Sequence, residues 1–392
     1  MIGLLIISIR AVSLILKLLA IVLIANSLPV TLLDLYFLVA TVTAVISQLF
    51  GLQTYQIVLR NFNVNNDPRF LSLLGHQHFL IGACLCSGLV LLGGLINSSF
   101  GVFSLLFVGM LIAEIFALEL GRFFIILARP KLGVLINLSI SITYIFIALY
   151  FYIVPQSDFN ILMVSPFLVF IIVWVGFCKI KGLISLSFDF SFSNNIKLLS
   201  DASGYFFSQL ANISMLYLNR FIIELQDVNG LLSSFSLLQT IGNTIPVLVT
   251  AGFIGPYAAS YMQSKVSLKK IVCMVCVSSA LLSITLIGFY DFIAVIVRDG
   301  LIAEYRSMFI ILVIGAVAFS VAQVFQLFLS RNKKHHINFI SYMAALTVSV
   351  PLAFTLIPSF GLWGACIAST VPYLILLGVR FVMTVIYLRA TV

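Results

Sequence analysis

Apolar stretches of about 20 residues, each long enough to cross a bilayer as a helix, recur along the whole chain between short polar or basic connections. The runs are continuous rather than alternating, which argues against the strand pattern of a membrane β-barrel. Twelve spans are predicted, at 4–25, 32–58, 77–97, 101–127, 132–154, 160–178, 201–224, 231–258, 271–297, 302–329, 337–357 and 362–387. Little chain is left over for a soluble domain. The expected fold is therefore all-α, a polytopic membrane protein. The first run shows no small-residue cleavage site and carries Lys17 in its interior, so it is read as a retained span rather than a removed signal peptide.

Polar residues inside these spans fall into stripes. In the first span Arg10, Ser13 and Lys17 are three and four residues apart and share one helix face, with about 10 Å of rise between the two cations. The second span places Thr41, Gln48 and Tyr55 at intervals of seven. In the seventh, Tyr205, Ser208, Gln209, Asn212 and Asn219 follow one stripe with Arg220 beside its end, and the eighth continues with Ser236, Gln239, Asn243 and Thr250. Single residues of these types often join transmembrane helices by hydrogen bonds. Four stripes at matching positions in two halves point instead to a polar, hydrated cavity. Gly242, Pro246, Gly252, Gly255 and Pro256 would let the eighth span bend or unwind.

The halves are suggested by the longest polar connection, from Lys179 to Asp201, which divides the spans six and six. The predicted lobes are 1–190, ending in a cytoplasmic linker at about 179–200, and 191–392. With an even number of spans in each, the lobes would have the same orientation, as in transporters built from parallel repeats.

Composition agrees with the pattern: 62% of the residues are hydrophobic and 8% are charged, with a mean hydropathy of +1.21. The net charge of +9 resides mostly in alternate loops. Fourteen Lys and Arg residues, among them Arg60, Arg129, Lys181, Lys270, Lys334 and Arg389, follow the even-numbered spans, against Arg298 alone on the other side. By the positive-inside rule both termini are expected in the cytoplasm, and the basic balance needs no nucleic acid to explain it. Cys273 and Cys276 have a two-residue spacing without a second pair, and His76, His78, His335 and His336 sit at helix ends, so no metal site is expected.

Charges within the spans are functional candidates by default. The basic set is Arg10, Lys17, Arg122, Arg220, Arg306 and Arg380, and the acidic set includes Glu114, Glu119, Asp201, Glu224 and Glu304. Glu119 with Arg122, and Arg220 with Glu224, have the spacing of pairs on one helix face. Arg306, near a span end, can snorkel. Asp201 reads either as a helix-start carboxylate or, with Glu114, as an ion-coupling group. Arg10 and Lys17 have no acidic neighbour on their own helix. A Lys at mid-span costs roughly 2.5–3.5 kcal/mol even on the gentler insertion scale, and one favourable charge pair at an intermediate dielectric contributes about 4 kcal/mol before desolvation. An anionic ligand is therefore the expected partner.

The stretches "LDLYFLVATVTAVISQLFGLQTYQIVLRNF" and "MLYLNRFIIELQDVNGLLSSFSLLQTIGNTI", together with the topology, resemble the polysaccharide, or O-antigen-type, lipid-linked oligosaccharide flippases of the multidrug/oligosaccharidyl-lipid/polysaccharide exporter superfamily. Relatives often carry Asp-Arg where this chain has Asn219-Arg220, which weakens any proton-coupling role there. The resemblance implies two six-helix lobes set as a V around a central cavity, alternately open to either side. The implied cargo is an undecaprenyl-diphosphate-linked repeat unit, carried to the outer leaflet of the bacterial inner membrane. Arg10, Lys17 and Arg220 would then face the diphosphate, with Gln48, Tyr55, Gln209, Asn212, Asn219, Gln239 and Asn243 offering hydrogen bonds to sugar hydroxyls. Membrane lipids, and the polymerase and chain-length proteins of the same pathway, are the expected partners. No cofactor is implied.

Two other readings fit a chain of this kind. An O-antigen polymerase-type glycosyltransferase should carry a sizeable external loop, whereas every predicted outward loop here is short. A multidrug exporter of the same superfamily should favour an acidic cavity for cationic drugs, whereas the unpaired charges here are basic. An ATP-driven pump is disfavoured because no phosphate-binding G-x-x-x-x-G-K-[ST] loop occurs. The expected protein is a non-enzymatic transporter.

Overall fold

A computed structural model describes residues 2–50, 130–154, 192–226, 230–254, 266–297, 301–332 and 334–390, with a few isolated positions besides. All regular structure among the described residues is helical. The helices are α1 (Ile2–Ser27), α2 (Val30–Phe50), α3 (Pro130–Ile153), α4 (Phe192–Glu224), α5 (Leu231–Gly242), α6 (Thr244–Val249), α7 (Leu268–Gly288), α8 (Tyr290–Ile296), α9 (Arg306–Arg331), α10 (His335–Phe360) and α11 (Leu362–Ala390). Among the described residues seven helical segments are long and apolar enough to cross a membrane. The predicted third and fourth spans lie outside the described residues, as do Glu114, Glu119 and Arg122.

One difference from the sequence expectation, at the start of α4, and one agreement with it, the bend of the eighth span, have local causes. Helix α4 begins at Phe192 rather than near 201, so part of the expected linker is helical. Its 33 residues extend about 50 Å, well beyond a hydrocarbon core of about 30 Å. No Gly or Pro stands between Phe192 and Asp201 to stop the helix where the apolar segment ends. The eighth span is interrupted at Asn243, between α5 and α6, and closes with a π-helical turn over Thr250–Ile254. Pro246 has no N–H to give the Gly242 carbonyl, which is the one it would bond in a regular helix. The helix yields at that point.

The chain folds as two compact units. One comprises Met1–Ala11, Leu28–Leu38 and Phe207–Val392, and the other Val12–Ser27 and Val39–Phe206. In the second unit α1 meets α3 through a hydroxyl pair: Ser13 Oγ lies 2.6 Å from Ser141 Oγ and donates to the Asn137 carbonyl at 3.1 Å. Along α3, Val134, Ser141 and Ala148 recur every seven residues on the buried side, while Leu135, Ile142, Phe146 and Ile153 are exposed.

In the first unit α9 packs against α7 and α11, and α11 against α10. Lipid tails are as apolar as leucine, so burial gives little drive to join such helices, and close approach depends on small residues. Ala211, Ala318, Ala322 and Ala345 accordingly form the core with Met215, Tyr342, Tyr373 and Leu376. At Gly315 an added Cβ would stand 3.1 Å from the Thr370 Cα, and Thr370 Oγ1 donates to the Ile311 carbonyl at 2.9 Å. The turn between α10 and α11 is the single residue Gly361, at φ 53°. So tight a reversal brings Gly364 against α10, where a Cβ would overlap the Leu356 carbonyl oxygen.

Candidate functional site

The polar stripe of α1 has a defined orientation. Ser8, Val12, Ile15 and Leu19 form the exposed stripe of the helix. At 100° per residue, Arg10, Ser13 and Lys17 fall on the opposite face. Ser13 is buried; Arg10 and Lys17 are half-buried. The Nε of Arg10 is buried and has no hydrogen-bond partner among the described residues. Such an orphan donor on a cation carries the full cost of desolvation until an acceptor arrives. Lys17 is engaged by at least one neighbouring group.

Along α4 the predicted stripe separates by depth. Gln209 and Asn212 are half-buried, and the Asn212 Oδ1 is a buried acceptor without a partner among the described residues. Asn219 is fully buried and donates through Nδ2 to Ser369 Oγ on α11 at 2.5 Å, and its Oδ1 has no partner among the described residues. The neighbouring Arg220 is 8% exposed. Its Nε donates to Gln239 Oε1 on α5 at 2.8 Å, its guanidinium lies 5.5 Å from the centre of the Tyr217 ring, and Gln239 Nε2 donates in turn to the Leu216 carbonyl at 3.2 Å. Both ends of the Gln239 amide are thus occupied, which fixes its orientation and that of the guanidinium it holds. Of the residues predicted together in the seventh and eighth spans, Arg220 and Gln239 meet here.

The remaining candidates divide as follows. Asn243 sits half-buried at the break between α5 and α6, and its side chain makes no capping bond there. Thr41 is fully buried on α2. Gln48 and Asp201 fall within α2 and α4, but their side chains, like the whole of Tyr55, lie outside the described residues. Arg306 pairs with Asp291 at 2.9 Å, both side chains exposed.

Two features lie outside the site set expected from the sequence, although Arg380 is among the intramembrane charges. Asp34 on α2 accepts hydrogen bonds from the backbone N–H groups of Gly230 and Ser233, at 2.6 and 2.8 Å. It thereby caps α5, whose own N-cap residue is a glycine with no side chain to do so. A glycine before an apolar run, without the usual Ser, Thr, Asp or Asn, is the signal that could have prompted a search for a cap elsewhere in the chain. Arg380 is fully buried on α11, with Nε donating to Ser341 Oγ at 3.2 Å, Nη1 to the Ala322 carbonyl at 3.1 Å, and its guanidinium 4.5 Å from the Tyr342 ring centre. Among the described residues the buried charged side chains are Arg220 and Arg380, both cationic.

Long apolar helices that turn polar and cationic side chains away from their exposed faces define a polytopic helical membrane protein with a polar interior. No family model and no curated protein matches the sequence. Solved structures do. The chain is similar to the lipid II flippase MurJ in an inward closed conformation, with TM-score 0.76 and 14% identity over 97% of this chain and 87% of that one. It is similar to an outward-facing multidrug resistance MATE family transporter of the MOP superfamily, with TM-score 0.70 and 12% identity over 99% and 94% of the two chains. A mutant of the Vibrio cholerae MATE transporter VcmN gives TM-score 0.69 and 13% identity over 99% and 98%. At such identities the likeness defines the fold, which is that of MATE transporters and MurJ.

Proposed function

We propose that the chain is a flippase that carries an undecaprenyl-diphosphate-linked oligosaccharide, an O-antigen or similar polysaccharide repeat unit, from the cytoplasmic to the outer leaflet of the bacterial inner membrane. It works by alternating access between a lobe of residues 1–190 and a lobe of residues 191–392, with both termini cytoplasmic. The observation that carries the reading is Arg10: a cation within a span, on the helix face opposite the exposed stripe, whose buried Nε lacks an acceptor among the described residues. A diphosphate headgroup would supply one by charge-assisted hydrogen bonding. The cationic character of the buried charges favours an anionic headgroup over the cationic drugs of a multidrug exporter. MurJ, which shares the fold, is itself a lipid flippase.

Arg10, Lys17 and Arg220 form the anion-facing set in this reading, and Gln48, Tyr55, Gln209, Asn212, Asn219, Gln239 and Asn243 the sugar-facing set. Glu114 and Asp201 are the groups for ion coupling, and polymerase and chain-length proteins of the pathway receive the product. Deletion of the gene tests the proposal. Unpolymerised single units should accumulate on the cytoplasmic leaflet and polymer should be lost. Single units already delivered to the outer surface would instead identify a polymerase. Complementation with Arg10→Ala should fail where Arg10→Lys restores part of the transport, and equal full rescue by both would remove the charge from the mechanism.

A further inference from the structure

Helices α10 and α11 run antiparallel from the turn at Gly361, and the bond from Arg380 Nε to Ser341 Oγ sets their register. One turn nearer the open end of this hairpin stand Asn338 on α10, three residues before Ser341, and Thr384 on α11, four residues after Arg380. All of this level is buried: Arg380 is 0% exposed, Thr384 2% and Asn338 6%. Buried polar atoms are nearly always paired, yet each of these three residues keeps one that is not. Among the described residues Arg380 Nη2, Thr384 Oγ1 and Asn338 Oδ1 have no hydrogen-bond partner. Their polar neighbours are already engaged. Ser341 Oγ accepts from Arg380 and donates to the Asn338 carbonyl at 2.7 Å, Asn338 Nδ2 donates to Ser330 Oγ at 3.2 Å, and the Tyr342 hydroxyl donates to Gln326 Oε1 at 3.2 Å. The partners that Arg380 does have among the described residues are a hydroxyl, a carbonyl and an aromatic ring, all neutral.

We propose that Arg380, Thr384 and Asn338 bind a small inorganic anion, a halide such as chloride, between α10 and α11. Arg380 Nη2 and the Thr384 hydroxyl donate to it. An amide can present either end: with Asn338 turned about its last bond, the NH2 group donates to the same anion while its oxygen accepts from the Ser330 hydroxyl. A water molecule would meet the dipoles of these groups but leave the guanidinium charge without a counterion in a medium of low dielectric, where an opposite charge gains most. The size of the anion follows from burial. A guest at this level must shed its water, which a singly charged halide does at far less cost than a phosphate held by one guanidinium. Arg331, Lys334 and Arg389 stand at the same ends of α9, α10 and α11, and a cluster of one sign raises the local concentration of counter-ions. The site does not depend on the identity of the cargo, so it stands or falls apart from the flippase reading.

The test uses the full-length protein in detergent, with chloride replacing gluconate at constant ionic strength and the thermal unfolding midpoint as the readout. Gluconate is too large for the site. A ligand that binds only the folded state stabilises it with the logarithm of its concentration above Kd, so the midpoint should rise by about 2 °C for each tenfold increase in chloride. Bromide should replace chloride, and its anomalous scattering in crystals should place it beside Arg380 Nη2 and Thr384 Oγ1. Arg380→Met should abolish the chloride dependence. Thr384→Val keeps the volume and removes one donor, and should move the dependence to about two- to tenfold higher chloride. Equal midpoints in chloride and gluconate, the result an ordered water would give, overturn the proposal, as does a chloride response that survives in Arg380→Met. Should that variant fail to fold, an unchanged response in Thr384→Val overturns it equally.

Discussion

Gln239→Leu is the substitution that most directly probes how the interior holds its cations. Arg220 is 8% exposed and its Nε–H ends on Gln239 Oε1 at 2.8 Å. Leucine keeps approximately the volume of the side chain and removes the acceptor, so the guanidinium loses a hydrogen bond to a charged donor, worth about 1.5–3 kcal/mol. The same change removes the donor from the Leu216 carbonyl, a neutral bond worth about 1 kcal/mol. The contact of Arg220 with the Tyr217 ring is retained. The expected loss is therefore about 2–4 kcal/mol. In a chain of this size each kcal/mol moves the unfolding midpoint by about 2 °C or somewhat less, so thermal unfolding in detergent should occur about 3–8 °C earlier.

The decisive measurement is the double-mutant cycle. In Arg220→Met with Gln239→Leu both polar partners are gone, and apolar replacement of a buried polar pair is often neutral or stabilising. The double variant should be more stable than Gln239→Leu alone, with a coupling energy of about 1–3 kcal/mol. Additive losses would refute the reasoning, because they would mean that the guanidinium does not depend on Gln239. Transport separates stability from function. If Arg220 faces the cargo, the double variant regains stability without regaining transport.

Gly364→Ala should prevent accumulation of the protein in the membrane, since its Cβ would overlap the Leu356 carbonyl oxygen; immunoblotting of membrane fractions checks this, and wild-type levels would refute the one-residue turn. Arg380→Met should be tolerated better than Arg380→Ala, which leaves a void beside Tyr342 and Ala322, with unfolding midpoints as the measure; the opposite order would show that charge, not volume, matters there. Ser13→Ala removes the bond to Ser141 and should cost about 0.5–1 kcal/mol, read as a midpoint shift of about 1–2 °C; a loss several times larger would show that the hydroxyl pair does more than join α1 to α3. Arg306→Ala breaks an exposed pair with Asp291 and should cost less than about 1 kcal/mol, with a midpoint difference that vanishes at high salt.

The helical architecture was legible because bilayer thickness imposes one length on every span and the apolar runs report it without ambiguity. The predicted starts of the ninth to twelfth spans fall within a few residues of α7, α9, α10 and α11. The start of α4 was not legible, because hydropathy marks where lipid ends and says nothing of where a helix does. The stripes of α1 and α4 were legible for the same geometric reason that stripes exist at all, the 3.6-residue period. Their partners were not. Nothing in the sequence near Arg220 indicates that its acceptor is Gln239, 19 positions away, or that Asn219 will find Ser369 at a separation of 150.

That difference bears on how charge is accommodated in the interior. Spacing on one helix suggests carboxylate partners for Arg122 and Arg220, as would suit an exposed helix face, and suggests none for Arg380. Arg220 donates to an amide oxygen and lies against a tyrosine ring, and Arg380 meets a hydroxyl, a carbonyl and a tyrosine ring. Neutral acceptors solvate a guanidinium without cancelling its charge, so the field of the cation persists around it in a medium of low dielectric. A carboxylate in the same place would neutralise that field and leave nothing for an anionic headgroup to gain. Asp34, by contrast, spends its charge on backbone N–H groups at a helix terminus rather than on an arginine. For Arg380 and Asp34, among the described residues, the base and the acid are each met by neutral groups, an arrangement that leaves the field of the charge in place.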